Sequence, residues 1–303
     1  MKKLLVASIA AFLLLSAFNT NKKNKLKLPD EFVFIPEGTM GVIGNPRSAI
    51  DDTPAKKIPI GSFYLSKYEV TNLQYRQFYA EVSPGLTDEE KNQIACDSLG
   101  WRQAITYNEP MLVHYYRHQA FNNYPVVNIQ YEGVAKYCAW FQSKLQTENP
   151  GYTIEVNLPS KTQWMYAAMG GRNQAMYPWG NYYLRNRKGE FLCNFKHLGD
   201  QAITRNRKTG KPEVHEKNIG VTGGLSDRAF YMAAVKSFYP NDFGLYNMCG
   251  NAAEMVKEKA IAMGGSWNDY GGDVQIRAEA TFEHSSPTIG FRPLIMATPK
   301  SEN

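Results

Sequence analysis

Met263-Gly264-Gly265-Ser266-Trp267 and Gly290-Phe291-Arg292 bracket a segment of this chain that holds no cysteine. The last cysteine of all 303 residues is Cys249, ahead of the bracket. Inside it stand Asp269, Asp273, Glu279, Glu283 and His284. Such side chains could make an acid/base cluster, but no spacing rule demands one, and a solvated loop is the default reading.

Immediately upstream lies Asn241-Asp242-Phe243-Gly244-Leu245-Tyr246-Asn247-Met248-Cys249-Gly250-Asn251-Ala252-Ala253-Glu254, rich in the Gly and Asn of tight turns. Further back, Glu132 to Leu145 carries Val134, Tyr137, Cys138, Phe141 and Leu145 on one stripe, which predicts an amphipathic helix. Ser160 caps a second helix that packs Trp164, Ala167 and Ala168 and stops at Gly170-Gly171. Thr71 caps a third, with Leu73, Tyr75, Phe78, Tyr79 and Val82 at helical spacings, ended by Pro84-Gly85. Extended segments are expected at 32–35, 58–65 and 126–129, with short ones near 231–238, 261–267 and 275–280. Residues 86–123 read as an irregular insert.

The chain is 43% hydrophobic and 13% aromatic, with 24 glycines and 16 prolines, the profile of a loop-rich globular domain. Its net charge is +6, and no long basic run marks a nucleic-acid footprint. Lys2-Lys3 followed by an apolar run to Leu15 reads as a secretory signal, too short to span a membrane, which takes about 20 residues. Residues 1–17 are assigned to that signal, 18–30 to a polar linker, 31–297 to one domain and 298–303 to a tail. Export places the chain in the periplasm or cell envelope. Phe18 stands where a lipobox would have its cysteine, so a lipid anchor is doubtful. The four cysteines Cys96, Cys138, Cys193 and Cys249 allow two disulfides in three connectivities, or four small buried residues.

A series of stretches in fixed order resembles the sulfatase-modifying-factor (formylglycine-generating enzyme) family. They include Phe34-Ile35-Pro36-Glu37-Gly38, Tyr68-Glu69-Val70-Thr71-Asn72, Pro125-Val126-Val127-Asn128, Leu158-Pro159-Ser160, Tyr177-Pro178-Trp179-Gly180-Asn181, the 241–254 stretch and the terminal bracket. The resemblance implies an α+β class, the family's complex C-type-lectin-like fold, loop-rich and poor in regular structure. Tyr107-Asn108-Glu109-Pro110-Met111 and Tyr115-Tyr116-Arg117-His118 are similar to the subgroup of gliding-motility and type IX secretion lipoproteins (the GldK/GldJ type). That likeness implies a structural part of an envelope machine.

In the family's oxidases a cysteine pair in the bracket holds copper, a soft ion that prefers sulfur. Counted from Gly264-Gly265-Ser266, the two positions fall on Asp269 and Val274, so no copper is expected. Calcium is implied instead. One ion would sit on Asn247, Glu254 and the carbonyls of Gly250 and Ala252; a second would use Asn194, Asp227 and the carbonyls of Phe195 and Ala229. Hard oxygens from tight loops suit Ca²⁺. A helix cysteine such as Cys138 is paired in the family's enzymes to a position that is Pro293 here. His114 and His118 would share a helical face but lack a clear third ligand. Trp101, Tyr107, Tyr115, Tyr116 and Phe121 make either a partner surface or core. The expectation is a non-catalytic, calcium-stabilised envelope component with protein partners, no nucleic acid and no membrane span once the leader is removed; an oligomer is left open. The alternatives are an enzyme of different chemistry in the same groove and a carbohydrate-binding module.

Overall fold

The computed structural model describes residues 25–42, 56–104, 108–196, 201–205, 209, 212–216, 229 and 231–301. Its strands are β1 (Phe32–Ile35), β2 (Gly38–Val42), β3 (Lys56–Ile60), β4 (Phe63–Ser66), β5 (Tyr152–Asn157), β6 (Gln201–Arg205) and β7 (Pro212–Glu216). After them come β8 (Ala253–Met255), β9 (Ile261–Met263), β10 (Glu279–Thr281), β11 (Ile289–Gly290) and β12 (Leu294–Pro299). The helices are α1 (Asn72–Val82), α2 (Asp88–Ile94), α3 (Trp101–Ala104), α4 (Glu109–His114), α5 (Tyr131–Glu148) and α6 (Lys161–Met169).

An antiparallel sheet in the order β1-β4-β12-β5 joins the start of the domain to its end. Both of its faces carry buried side chains, and the two-residue period of the strands sorts side chains between them. Ile35, Phe63, Leu65 and Leu294 enter one core with Trp164, Ala167 and Ala168 of α6. Ile154, Val156 and Ile295 enter the other, with Tyr137, Cys138 and Leu145 of α5 and Phe78 of α1. A second sheet, β10-β9-β8-β11, contains a parallel β8–β11 pair that sets Gly290 beside Glu254.

Capping explains the helix starts. The Thr71 and Ser160 hydroxyls accept from the backbone N–H groups of Gln74 and Gln163, whose side chains return a bond to the cap. Gly170 ends α6 in the left-handed region at φ 60°. Tyr75 and Phe78 then meet Tyr137 with ring centroids 5.9 and 5.4 Å apart.

Several expected elements differ. Residues 58–65 are not one strand but parts of β3 and β4, which belong to different sheets. Residues 126–129 are buried but form no strand, because Asn128 takes φ 54° and its N–H donates to the Ser286 carbonyl at 2.9 Å. No strand forms over 231–238 either. The irregular insert contains α2, α3 and α4. Of the two readings left open for the insert's aromatics, core is the one seen: Trp101 and Tyr115 are fully buried in a third core with Trp267, and Tyr116 and Phe121 pack against it. Tyr107 lies outside the described residues.

Candidate functional site

Beneath the Asn247–Glu254 loop the sequence buries two carboxylates and one guanidinium, which must be satisfied internally. Arg292 is fully buried, and all five of its N–H donors are used. Nε donates to Glu254 Oε2 at 2.6 Å. Nη1 donates to the carbonyls of Ser66 and Lys67, both at 3.1 Å. Nη2 donates to the Tyr246 carbonyl at 2.8 Å and to Glu254 Oε1. Trp164 Nε1 adds a bond to Glu254 Oε2 at 2.7 Å. Burial works against the Arg292 charge, yet the Glu254 charge and hydrogen bond raise its pKa overall.

Glu69 completes the group. Its carboxylate accepts from Asn251 Nδ2 at 2.9 Å and from Asn247 Nδ2 at 3.2 Å. Burial, reinforced by the Glu254 charge, pushes its pKa up to about 7, with Arg292 and Asn251 pulling the other way. Asn247 and Asn251 both adopt left-handed backbone, φ 51° and 65°, a region Asn tolerates better than most residues. Gly250 sits between them at φ 70°, where a Cβ would fall 2.1 Å from the Asn194 carbonyl oxygen. No other residue fits there.

One detail bears on a cation. The Asn247 amide points its Nδ2 at Glu69 and at the Val235 carbonyl, which leaves Oδ1 buried without a hydrogen-bond partner. That is a spare hard oxygen. Glu254 accepts three bonds, and a carboxylate has about four acceptor sites, so one remains. The residues present therefore fit Ca²⁺.

Asn194 is brought against the same loop. Its Nδ2 donates to Asn251 Oδ1 at 3.2 Å and to the Tyr231 carbonyl at 2.6 Å, and its own carbonyl accepts from the Asn251 N–H. Phe195 and Ala229 are buried, and Asp227 lies outside the described residues.

The two bracket positions have separate fates. Asp269 Oδ2 accepts from the Ser266 N–H at 2.8 Å and from its hydroxyl at 2.6 Å, closing a turn. Val274 is fully buried in the core cluster that also holds Trp164, Cys193, Cys249 and Met263. A Cβ on Gly265 would lie 2.8 Å from its Cγ1.

The wider acidic cluster is not assembled. Glu279 pairs with Lys161 at 2.7 Å, and Glu283 and His284 line a cleft of about 660 Å³ that Asp269, Asp273 and Glu279 do not reach. The His114 and His118 rings stand 5.8 Å apart on the surface. No group of three or more His, Cys, Asp or Glu side chains placed for a metal occurs among the described residues. The four cysteines are thiols.

Glu69 and Arg292 carry no assigned role in the sequence reading, and Trp164 is expected there only to pack. The signal for the two ions is a lone charge set in apolar surroundings, as in Tyr68-Glu69-Val70 and Phe291-Arg292-Pro293-Leu294.

Comparison with known proteins agrees with this layout. A family model described as "Sulfatase-modifying factor enzyme 1-like domain" matches residues 17–297. The chain is 25% identical over 252 residues to a formylglycine-generating enzyme of Bos taurus, covering 76% of this chain but only 58% of that one. It is 24% identical to the inactive C-alpha-formylglycine-generating enzyme 2 of Mus musculus, over 79% of this chain and 77% of the relative. The fold is similar to the structure of PvdO from Pseudomonas aeruginosa, with TM-score 0.57 and 20% identity over 87% of this chain and 93% of that one. With the glycine-tight loop, its buried ion pair and a family match over nearly the whole length, the chain belongs to the sulfatase-modifying-factor family.

Proposed function

We propose that the chain is a non-catalytic member of this family: an exported, calcium-stabilised structural or binding component of a cell-envelope assembly of the type IX secretion or gliding kind. The observation that carries the non-catalytic part is the pair Asp269 and Val274. The first spends its carboxylate on a turn and the second is sealed in the core, so neither presents a soft ligand for copper. A relative named as inactive supports the same reading. The insert likeness supports the envelope role.

Calcium belongs to the scaffold in this proposal. Asn247 Oδ1, the remaining Glu254 site and the carbonyls of Gly250 and Ala252 would hold the first ion, and Asn194 with Phe195, Asp227 and Ala229 the second. Two carboxylates against one guanidinium leave the pocket a negative charge in excess when both ionise, which a divalent cation compensates. No helix among the described residues is long and apolar enough to cross a membrane.

The test is a pulldown with the tagged full chain from crosslinked envelope fractions, beside a peptide-oxidation assay with added copper. Recovery of a defined envelope complex without oxidation is expected. Copper-dependent turnover would overturn the non-catalytic reading, and an empty pulldown would overturn the assembly role.

A further inference from the structure

Neither the ion-pair knot nor the proposed calcium sites use Cys193 and Cys249. Each thiol precedes a residue of one tight crossing: Cys193 leads into Asn194, and Cys249 into Gly250. At that crossing the Asn251 N–H donates to the Asn194 carbonyl at 2.8 Å, and the Gly250 Cα is pressed so close that a Cβ would overlap the same oxygen. Both cysteines belong to one core cluster, each 2% exposed, which also holds Trp164, Met263 and Val274.

Cys96 and Cys138 sit against the other core.

We infer that Cys193 and Cys249 join in a disulfide when the chain matures under oxidising conditions, while Cys96 and Cys138 stay reduced. Two thiols lose two protons and two electrons, and the electrons reduce an external disulfide to two thiols by exchange. The step precedes closure of the core, because packing seals both thiols, each 2% exposed, from any external disulfide. Of the three pairings open to four cysteines, this one staples the 193–195 segment to the 249–251 turn. The inference stands whether or not calcium binds.

The experiment refolds the denatured, reduced full chain with oxidised glutathione as oxidant. The product is alkylated with N-ethylmaleimide in guanidinium chloride, so the labelling count is independent of how each variant folds. Two adducts are expected, at Cys96 and Cys138, together with one crosslinked peptide pair containing Cys193 and Cys249. A reductant should restore all four adducts. In Cys249→Ala all three remaining thiols should label. Four adducts without reductant, retained glutathione, or any crosslink through Cys96 or Cys138 would overturn the assignment.

Discussion

The Glu69–Glu254–Arg292 knot and the Asp269–Val274 segment are joined through one turn, yet the chain treats them differently. Gly250 N–H donates to the Gly264 carbonyl and Trp267 N–H to the Asn251 carbonyl, both at 2.9 Å, so the Asn247–Glu254 loop and the bracket share backbone bonds. In the knot, chemistry leaves almost no choice: five guanidinium donors meet five acceptors, and Gly250 admits no side chain. In the bracket, side chains serve a turn and a core site that other residues could serve. The difference separates what the scaffold demands from what an active site demands. A chain can hold the first without the second.

Arg292→Ala is the severest challenge to this contrast. It strands Glu254 and Glu69 in the interior without their cation, and breaking a buried pair by removing one partner costs about 3–5 kcal/mol. Urea denaturation should register that loss, or the variant should fail to fold. Arg292→Lys should recover little, since an ammonium offers three donors and no fork. A loss below about 1 kcal/mol would mean the knot is no more demanding than the bracket.

Calcium sharpens the same side. If the ion binds the native loop alone, calcium at a hundred times its dissociation constant stabilises the fold by about 2.7 kcal/mol. A chelator should lower the melting temperature accordingly. Asn247→Ala, which removes the unpartnered Oδ1, should abolish the calcium-dependent part of the shift. Equal chelator sensitivity in the variant and the parent would remove Asn247 from the site.

Legibility in the sequence follows the same division. The helices at Thr71 and Ser160 were readable because cap and apolar stripe are local signals. The family order located the Asn247–Glu254 loop. The closing strand Leu294–Pro299 and its partner Tyr152–Asn157 were not singled out. They pair across more than a hundred residues, and each is short: Tyr152–Asn157 alternates cleanly between buried and exposed side chains, whereas Leu294–Pro299 starts with two consecutive buried residues. Residues 126–129 looked like a strand by composition, and only the left-handed Asn128 denies it. Aromatic richness in the insert left surface and core both open, because composition cannot tell a satellite core from an exposed patch.

On the bracket side, Val274→Ala removes two buried methyl groups from a fully enclosed position and leaves a small cavity. At about 0.8 kcal/mol per methylene equivalent plus the cavity, the loss should be about 2 kcal/mol by urea denaturation. Recovery of the envelope complex in the pulldown should be unchanged. Reduced recovery with unchanged stability would give Val274 a role beyond packing.

Asp269→Ala should have the smallest effect. Asp269 is half-buried, and its carboxylate accepts two bonds from Ser266 within one turn, the geometry of a side-chain cap. Losing a cap of this kind costs about 1 kcal/mol, because water replaces part of what is lost. Asp269→Asn keeps an acceptor oxygen of the same shape and should restore most of that stability. A turn residue predicts this graded pattern, with pulldown recovery untouched throughout. A chemical role for the carboxylate predicts the opposite: Asn as damaging as Ala in a functional readout while stability is retained. The Ala and Asn variants, compared in both measurements, therefore decide whether the bracket is scaffold alone.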